Sequence, residues 1–261
     1  MHSPRQSDIS RNRSDRIHLE RFGAVRDNVR VYAQAGTALD EICASVDQGN
    51  GGVLAFANAH AFNLAWDDEA FARDLAEADW LLRDGTGVRL LLTAEGQPPG
   101  ANLNGTDFIP AVLERLKGQR VALFGTCDPW LSKAARDLRN QEINVVTVID
   151  GFQPEEAYLD AVERSQARLI VLAMGMPRQE RVARFMRKAG LADDALIICG
   201  GAIVDFLAKR HRRAPNILRK FGLEWMFRLA LEPRRLFRRY IIGNLLFLHR
   251  ARKYLRQRTC A

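Results

Sequence analysis

RVALFGTCDPWLSKAARDLRNQEINVVTVIDGFQPEEAYLDAVERSQARLIVLAM, residues 120–174, reads as strand, helix, strand, helix, strand. Arg120–Phe124, Val145–Ile149 and Leu169–Met174 are short, nearly continuous apolar runs, the pattern of strands covered on both faces. Gly125 ends the first run. Asp128 and Pro129 then supply an N-cap and a first helical position for a helix to about Asn140. A second helix is expected from Pro154 to Gln166. Helices alternating with buried strands are βαβ units, so the strands should lie parallel.

The same alternation extends in both directions. A helix from Arg178 to Lys188 and a strand at Leu196–Cys199 follow. Upstream, Val53–Ala57 reads as a buried strand, Ala59–Trp66 and Asp68–Ala76 as helices, and Trp80–Leu82 as a strand running into the turn Asp84-Gly85. Thr86–Glu95 is the next helix. The fold class is therefore α/β, with a mostly parallel sheet flanked by helices over residues 21–208. Residues 1–20 are polar and Arg/Ser-rich, with no apolar stretch behind them. They do not form a secretory signal and are expected to be a disordered tail. The cysteines Cys43, Cys127, Cys199 and Cys260 are scattered without a CxxC pair, which suits a reducing compartment.

Residues 209–261 change character. From Lys209 to Arg258 there are 16 Lys/Arg against Glu224 and Glu232, a net +14 in a chain whose total is +8. The rest of the protein therefore carries −6. Trp225, Leu229, Leu236, Tyr240, Leu245 and Leu248 recur at roughly helical spacing among the arginines, so this is a basic amphipathic helical appendage. It reads either as a subdomain with a solvated basic face or as a helix pair at an anionic membrane surface. Scarce acids and interleaved aromatics favour the second. Its longest apolar run, Tyr240 to Leu248, contains Gly243 and Asn244 and is far short of the roughly 20 residues that span a bilayer.

Ligands of an open parallel sheet gather beyond the carboxyl ends of its strands. Asn58, Asp84-Gly85-Thr86-Gly87, Gly175-Met176-Pro177-Arg178-Gln179-Glu180 and Gly200-Gly201 are expected there, with Gly105-Thr106-Asp107 in a neighbouring loop. Glycines at strand ends expose backbone N–H groups and helix N-termini, which suit a diphosphate. Asp84, partly desolvated, is a candidate general base, and its bland alternative is a helix N-cap. Neither the GxGxxG nor the P-loop pattern occurs, which argues against a dinucleotide-dependent oxidoreductase. No metal site is expected: there is no DxD, and the five histidines are dispersed. A nucleic-acid-binding tail is disfavoured because its charge lies on an apolar amphipathic segment.

Taken in order, these blocks resemble the WecG/TagA/CpsF family, glycosyltransferase family 26, over about residues 50–248. The resemblance is carried by Asn58-Ala59, Ala78-Asp79 with Asp84-Gly85-Thr86-Gly87, Gly105-Thr106-Asp107, Leu123-Phe124-Gly125 and Gly151-Phe152. It continues through Met174–Glu180, Gly200-Gly201-Ala202 with Asp205-Phe206, and Arg213-Ala214-Pro215. The last blocks are Gly222-Leu223-Glu224-Trp225, Arg228-Leu229 and Glu232-Pro233-Arg234-Arg235. Phe56 stands where many members carry Thr, and Asn102 where many carry Arg. Residues 102–107 look closer to exopolysaccharide members such as the xanthan-type glucosyltransferase GumM.

The resemblance implies a Rossmann-like domain that moves a hexose-type sugar from a UDP-sugar donor to a polyprenyl-diphosphate-linked acceptor, with inversion. No cofactor or obligatory metal is implied, and no nucleic acid. The enzyme would be cytoplasmic and peripheral on the inner face of the cytoplasmic membrane. By the same carry-over Asp84 is the base, and Asn58 and Gln179 orient the sugar or nucleotide. The glycines Gly85, Gly87, Gly105, Gly175, Gly200 and Gly201, with Asp107 and Pro177, surround the substrate. Arg228, Arg235 and Arg238 would meet the departing UDP or the lipid diphosphate. Donor sugar and homo-oligomerisation are left open.

Overall fold

The computed structural model describes residues 6–211, 213–215, 218 and 223–260; side chains of 6–13, 259 and 260 are outside that description. Gly222 of the tail signature therefore lies outside the described residues.

Seven strands form one parallel sheet: β1 (Val29–Arg30), β2 (Gly52–Ala57), β3 (Trp80–Arg83), β4 (Val121–Gly125), β5 (Val145–Ile149), β6 (Leu169–Ala173) and β7 (Leu196–Cys199). Their order across the sheet is β1-β3-β2-β7-β6-β4-β5, and every pairing is parallel. Because side chains alternate along a strand, the two faces build two cores. Val53, Ala55 and Ala57 of β2 point into one core, Leu54 and Phe56 into the other. Every residue of β2, β4 and β6 is buried, which is why these strands read as unbroken apolar runs.

Helices cover both faces. On the Leu54 face lie α2 (Ala35–Asp47), α6 (Gly105–Arg115), α7 (Trp130–Arg139) and α10 (Ile203–Leu207). On the Val53 face lie α1 (Gln6–Asn28), α3 (Ala59–Asp67), α4 (Glu69–Ala76), α5 (Gly85–Ala94), α8 (Glu155–Ser165) and α9 (Arg178–Lys188). The expected start of α7 moves by one residue. Pro129 takes the cap position, and the Asp128 carboxylate accepts from Ser132 N at 2.9 Å, still satisfying the first turn.

The expectation for the N-terminus is corrected. The segment expected as a disordered tail, residues 1–20, is helical from Gln6, as part of α1; residues 1–5 lie outside the described residues. Leu19, Phe22 and Val25 form a narrow stripe on this otherwise polar helix, and all three are buried in the Val53-face core. Fully burying a side chain such as Phe22 contributes roughly 1.5–3 kcal/mol, which offsets part of the entropy cost of ordering the helix.

The appendage comprises α11 (Glu224–Leu231), α12 (Pro233–Phe237), a π turn (Arg238–Ile242) and α13 (Gly243–Cys260). It is not a separate packing unit. Phe247, Ala251 and Tyr254 of α13 enter the same core as α1 and α3, and Asn63 Nδ2 donates to Gly243 O at 2.7 Å. Among the described residues no helix is long and apolar enough to cross a membrane.

Candidate active site

The carboxyl ends of β2 and β3 open into a cleft of about 1110 Å³, roofed by α11, the π turn and the start of α13. At its floor, Asn58 follows β2 and Asp84 follows β3. Asn58 is the N-cap of α3: its Oδ1 accepts from His60 N at 3.1 Å and Ala61 N at 3.0 Å. That leaves the amide nitrogen to donate to Asp84 Oδ2 at 3.2 Å. The cap thus fixes which way the amide points, and the amide fixes the carboxylate.

Asp84 occupies the N-cap position of α5 but makes no side-chain cap hydrogen bond. The neighbouring N–H of Gly85 is taken instead by Asn102 Oδ1 at 2.8 Å. The bland reading of Asp84 as a capping carboxylate therefore does not describe its side chain. Burial pushes its pKa above the ordinary carboxylate range; the Asn58 hydrogen bond and the cations Arg239, Arg228 and Arg83 pull the other way. Asp84 is a half-buried carboxylate at a cleft wall, with a raised pKa and one oriented donor, which suits a general base.

The opposite wall is cationic. Arg228 of α11 stacks over Phe206, its guanidinium carbon 5.2 Å from the ring centre. Arg239 of the π turn lies 5.7 Å from the Tyr240 ring centre, and its Nε has no hydrogen-bond partner among the described residues. Burial lowers the Arg239 pKa, a sign that water has been stripped from the group. A desolvated guanidinium with an unused donor in a cleft is suited to an anion. Arg83 differs: its two terminal nitrogens donate to Gly85 O and Gly100 O, so it braces the floor. His60, beside Asn58, is held neutral, with its pKa pushed down to about 4 by burial and the Arg239 charge.

Of the residues singled out in the sequence, Asn58, Asp84, Gly85, Gly87, Asp107 and Arg228 line this cleft. Gly85 has a φ of +84° with open space where a Cβ would sit, so its own backbone is open to close approach from the cleft. Gly105 instead backs the cleft against Phe56 and Ile109. Asp107 pairs with Arg213 at 2.6 Å. Gly175, Pro177, Gln179, Gly200 and Gly201 sit further along the same sheet edge, after β6 and β7, and are not among the cleft's lining residues.

Gln179 is fully buried rather than presented to the cleft. Its Oε1 accepts from Gly201 N at 2.8 Å and Gly175 N at 3.2 Å, tying the two strand-end loops together. Glu180 orients that amide by accepting from Gln179 Nε2 at 2.8 Å. Arg235 and Arg238 are exposed and do not line the cleft; Arg235 pairs with Glu232 at 2.6 Å.

Arg239 takes the place expected for Arg238. Arg238 was singled out by the family resemblance; both arginines lie in the π turn, and it is Arg239 that is among the cleft's lining residues. Arg83, Arg89, His60, Glu224 and Tyr240 also line the cleft. Arg83 and Arg89 flank the Asp84–Gly87 block in sequence, which was the available signal. Among the described residues no group of three or more His, Cys, Asp or Glu comes together as a metal site.

The sequence profile of the Glycosyl transferase WecG/TagA/CpsF family matches residues 27–261. The chain belongs to that family and is a glycosyltransferase by membership. The match takes in both cleft walls, the Asn58–Asp84 floor and the arginines of the appendage.

Glu180 provides a test that needs no substrate. It is 3% exposed, and burial raises its pKa from 4.5 to about 7. Between those values the folded protein holds a proton that the unfolded chain has lost, so stability falls as pH rises through this window. In urea titrations Glu180→Gln should lose less stability than wild type between pH 5 and pH 8, by about 1–3 kcal/mol. Identical pH dependence in the two proteins would remove Glu180 as a buried proton carrier.

Proposed function

We propose that the protein transfers a hexose-type sugar from a UDP-sugar to a polyprenyl-diphosphate-linked saccharide, in cell-surface or exopolysaccharide synthesis, with inversion at the anomeric carbon. The observation that carries this reading is the pairing of an uncapping, amide-oriented carboxylate, Asp84, with the desolvated guanidinium of Arg239 across one large cleft. Asp84 takes the proton of the acceptor hydroxyl as its oxygen attacks the anomeric carbon. The bond to the diphosphate breaks on the opposite face. Arg239 and Arg228 balance the charge that develops on the departing UDP, the role a divalent cation fills elsewhere. Asn58 holds Asp84 in place, and Gln179 keeps the adjoining loops in register.

The acceptor's lipid chain implies a membrane surface. Phe237, Ile242 and Leu245 are 53%, 52% and 66% exposed around the cleft roof, next to the exposed Arg234, Arg235 and Arg238. Apolar side chains interleaved with arginines suit the headgroup boundary of anionic lipid. This supports a peripheral enzyme on the inner face of the cytoplasmic membrane. The segment 102–107 favours exopolysaccharide-type donors resembling those of GumM-like members.

UDP release from a panel of UDP-sugars, with and without a polyprenyl-diphosphate-sugar and in EDTA, tests the reaction. One donor should give acceptor-dependent release, and Asp84→Asn should lose at least about a hundredfold in turnover while still binding that donor. Release that required added metal, or wild-type turnover in Asp84→Asn, would overturn the mechanism.

The pH profile isolates Asn58. Asp84 works as a base only when ionised, so activity is lost as pH falls through its raised pKa. Asn58→Ser retains a capping oxygen but drops the hydrogen bond that lowers that pKa. Its acid limb should move to higher pH with α3 intact; an unmoved limb would separate Asn58 from the base. Phe237→Ser with Ile242→Ser, both outside the cleft, should weaken sedimentation with phosphatidylglycerol vesicles while preserving UDP-sugar binding. Unchanged sedimentation would place the membrane contact elsewhere.

A further inference from the structure

Helix α1 lies almost wholly outside the family match, which begins at residue 27. Yet its apolar stripe touches the roof of the cleft. Phe22 packs with Phe62 of α3 at 4.6 Å between ring centres, and with Tyr254 and Phe247 of α13 at 5.0 and 6.2 Å. Phe247 itself lines the cleft. Its ring lies against Gly87, where an added Cβ would meet it at 3.2 Å. A continuous file of aromatic rings thus joins α1 to the backbone three residues after Asp84.

The charges repeat the connection. Arg26 of α1 pairs with Glu95, the C-cap residue of α5, and donates to Gln97 Oε1 at 2.6 Å. Arg26 and Glu95 are nearly buried, with side chains 6% and 7% exposed. Arg258 of α13 reaches the other Glu95 oxygen at 3.3 Å. One buried carboxylate therefore receives an arginine from each end of the chain, on the helix whose first turn carries Asp84. Lys253 of α13 pairs with Asp15 of α1 at 2.6 Å.

We infer that α1 is a positioning element of the active site: it fastens α13 against α3 and α5, and so holds the π turn and Arg239 opposite Asp84 before any substrate or surface is engaged. Phe22 acts through α13 and Arg26 through the Glu95 carboxylate it shares with Arg258 of α13; neither touches a reacting atom. The inference rests on the proposed reaction only for its kinetic consequence. The alternative is that Phe22 is an ordinary core residue, whose loss loosens sheet and appendage alike.

Amide hydrogen exchange on the full chain separates the two, with turnover measured in parallel. In Phe22→Ala, residues 243–258 should lose at least about tenfold in protection while β6 and β7 keep theirs. Turnover should fall about tenfold in kcat with a smaller change in the KM for the UDP-sugar, since misplacing a group that stabilises the leaving diphosphate acts on the transition state. Phe22→Leu should restore most of both. Arg26→Gln, which leaves the aromatic file in place, should show the same regional loss and decides the matter if Phe22→Ala does not fold. Protection of 243–258 equal to wild type, uniform loss across the sheet, or released α13 with unchanged kcat would each overturn the inference. A wild-type protein inactive on every UDP-sugar would instead fail the proposed reaction, and the exchange result would still stand.

Discussion

The Asn58 side chain joins the two elements on which the site depends. Its oxygen closes the N-terminus of α3, a role worth about 1 kcal/mol in such positions. Its nitrogen is thereby committed to Asp84. The cap orients the amide, and the amide then orients the carboxylate. Together they fix a carboxylate that no helix N–H restrains, on the adjacent strand of a sheet whose parallel pairing sets β2 and β3 side by side. The register of that pair, with Ala57 beside Arg83, puts Asn58 and Asp84 next to each other. The position of Asp84 thus follows from one strand pairing and one cap.

The second wall depends on the chain's ends. Arg239 stands over the cleft because a π turn rotates it inward, and because α13 is seated in the core through Phe247 and Tyr254. No strand follows β7 among the described residues, so strand pairing does not orient the appendage. Buried contacts from α1, α3 and α5 do that. Gln179 performs a similar service at the other shoulder, where two glycine loops would otherwise be independent.

Much of this was legible from sequence because buried parallel strands are apolar throughout and end on glycine or a turn pair. Arg178–Lys188 and Leu196–Cys199 matched to the residue, helped by Pro177 and Gly200 as boundaries. Asp84 and Asn58 stood out because both close a strand. Helix α1 did not, since three buried residues on a polar helix leave too weak a periodic signal; strand β1 has only two residues. Arg239 escaped because the resemblance singled out its neighbour Arg238, and nothing in the sequence shows which of the two faces the cleft. Gln179 was recognised, but a buried amide serving two backbone donors looks the same in sequence as one facing substrate.

The charge asymmetry has a partly internal answer. A tail of +14 beside a body of −6 suggested an outside anion. Several tail cations instead find the body's acids: Arg210 with Asp205, Arg213 with Asp107, Arg250 with Asp67, Lys253 with Asp15, and Arg258 with Glu95. Exposed pairs of this kind add little stability each, but they spend charge in a particular pattern. The tail arginines without an ion pair among the described residues include Arg228 and Arg239 in the cleft and Arg234 and Arg238 on its exposed rim. Arg252 and Arg256 of α13 likewise have no ion pair among the described residues, so the unpaired charge runs along the appendage, part of it where the cleft opens. In the proposed reaction a diphosphate inside the cleft and an anionic surface outside would both meet cations without an ion pair among the described residues, so the same segment would serve the departing nucleotide and the lipid boundary.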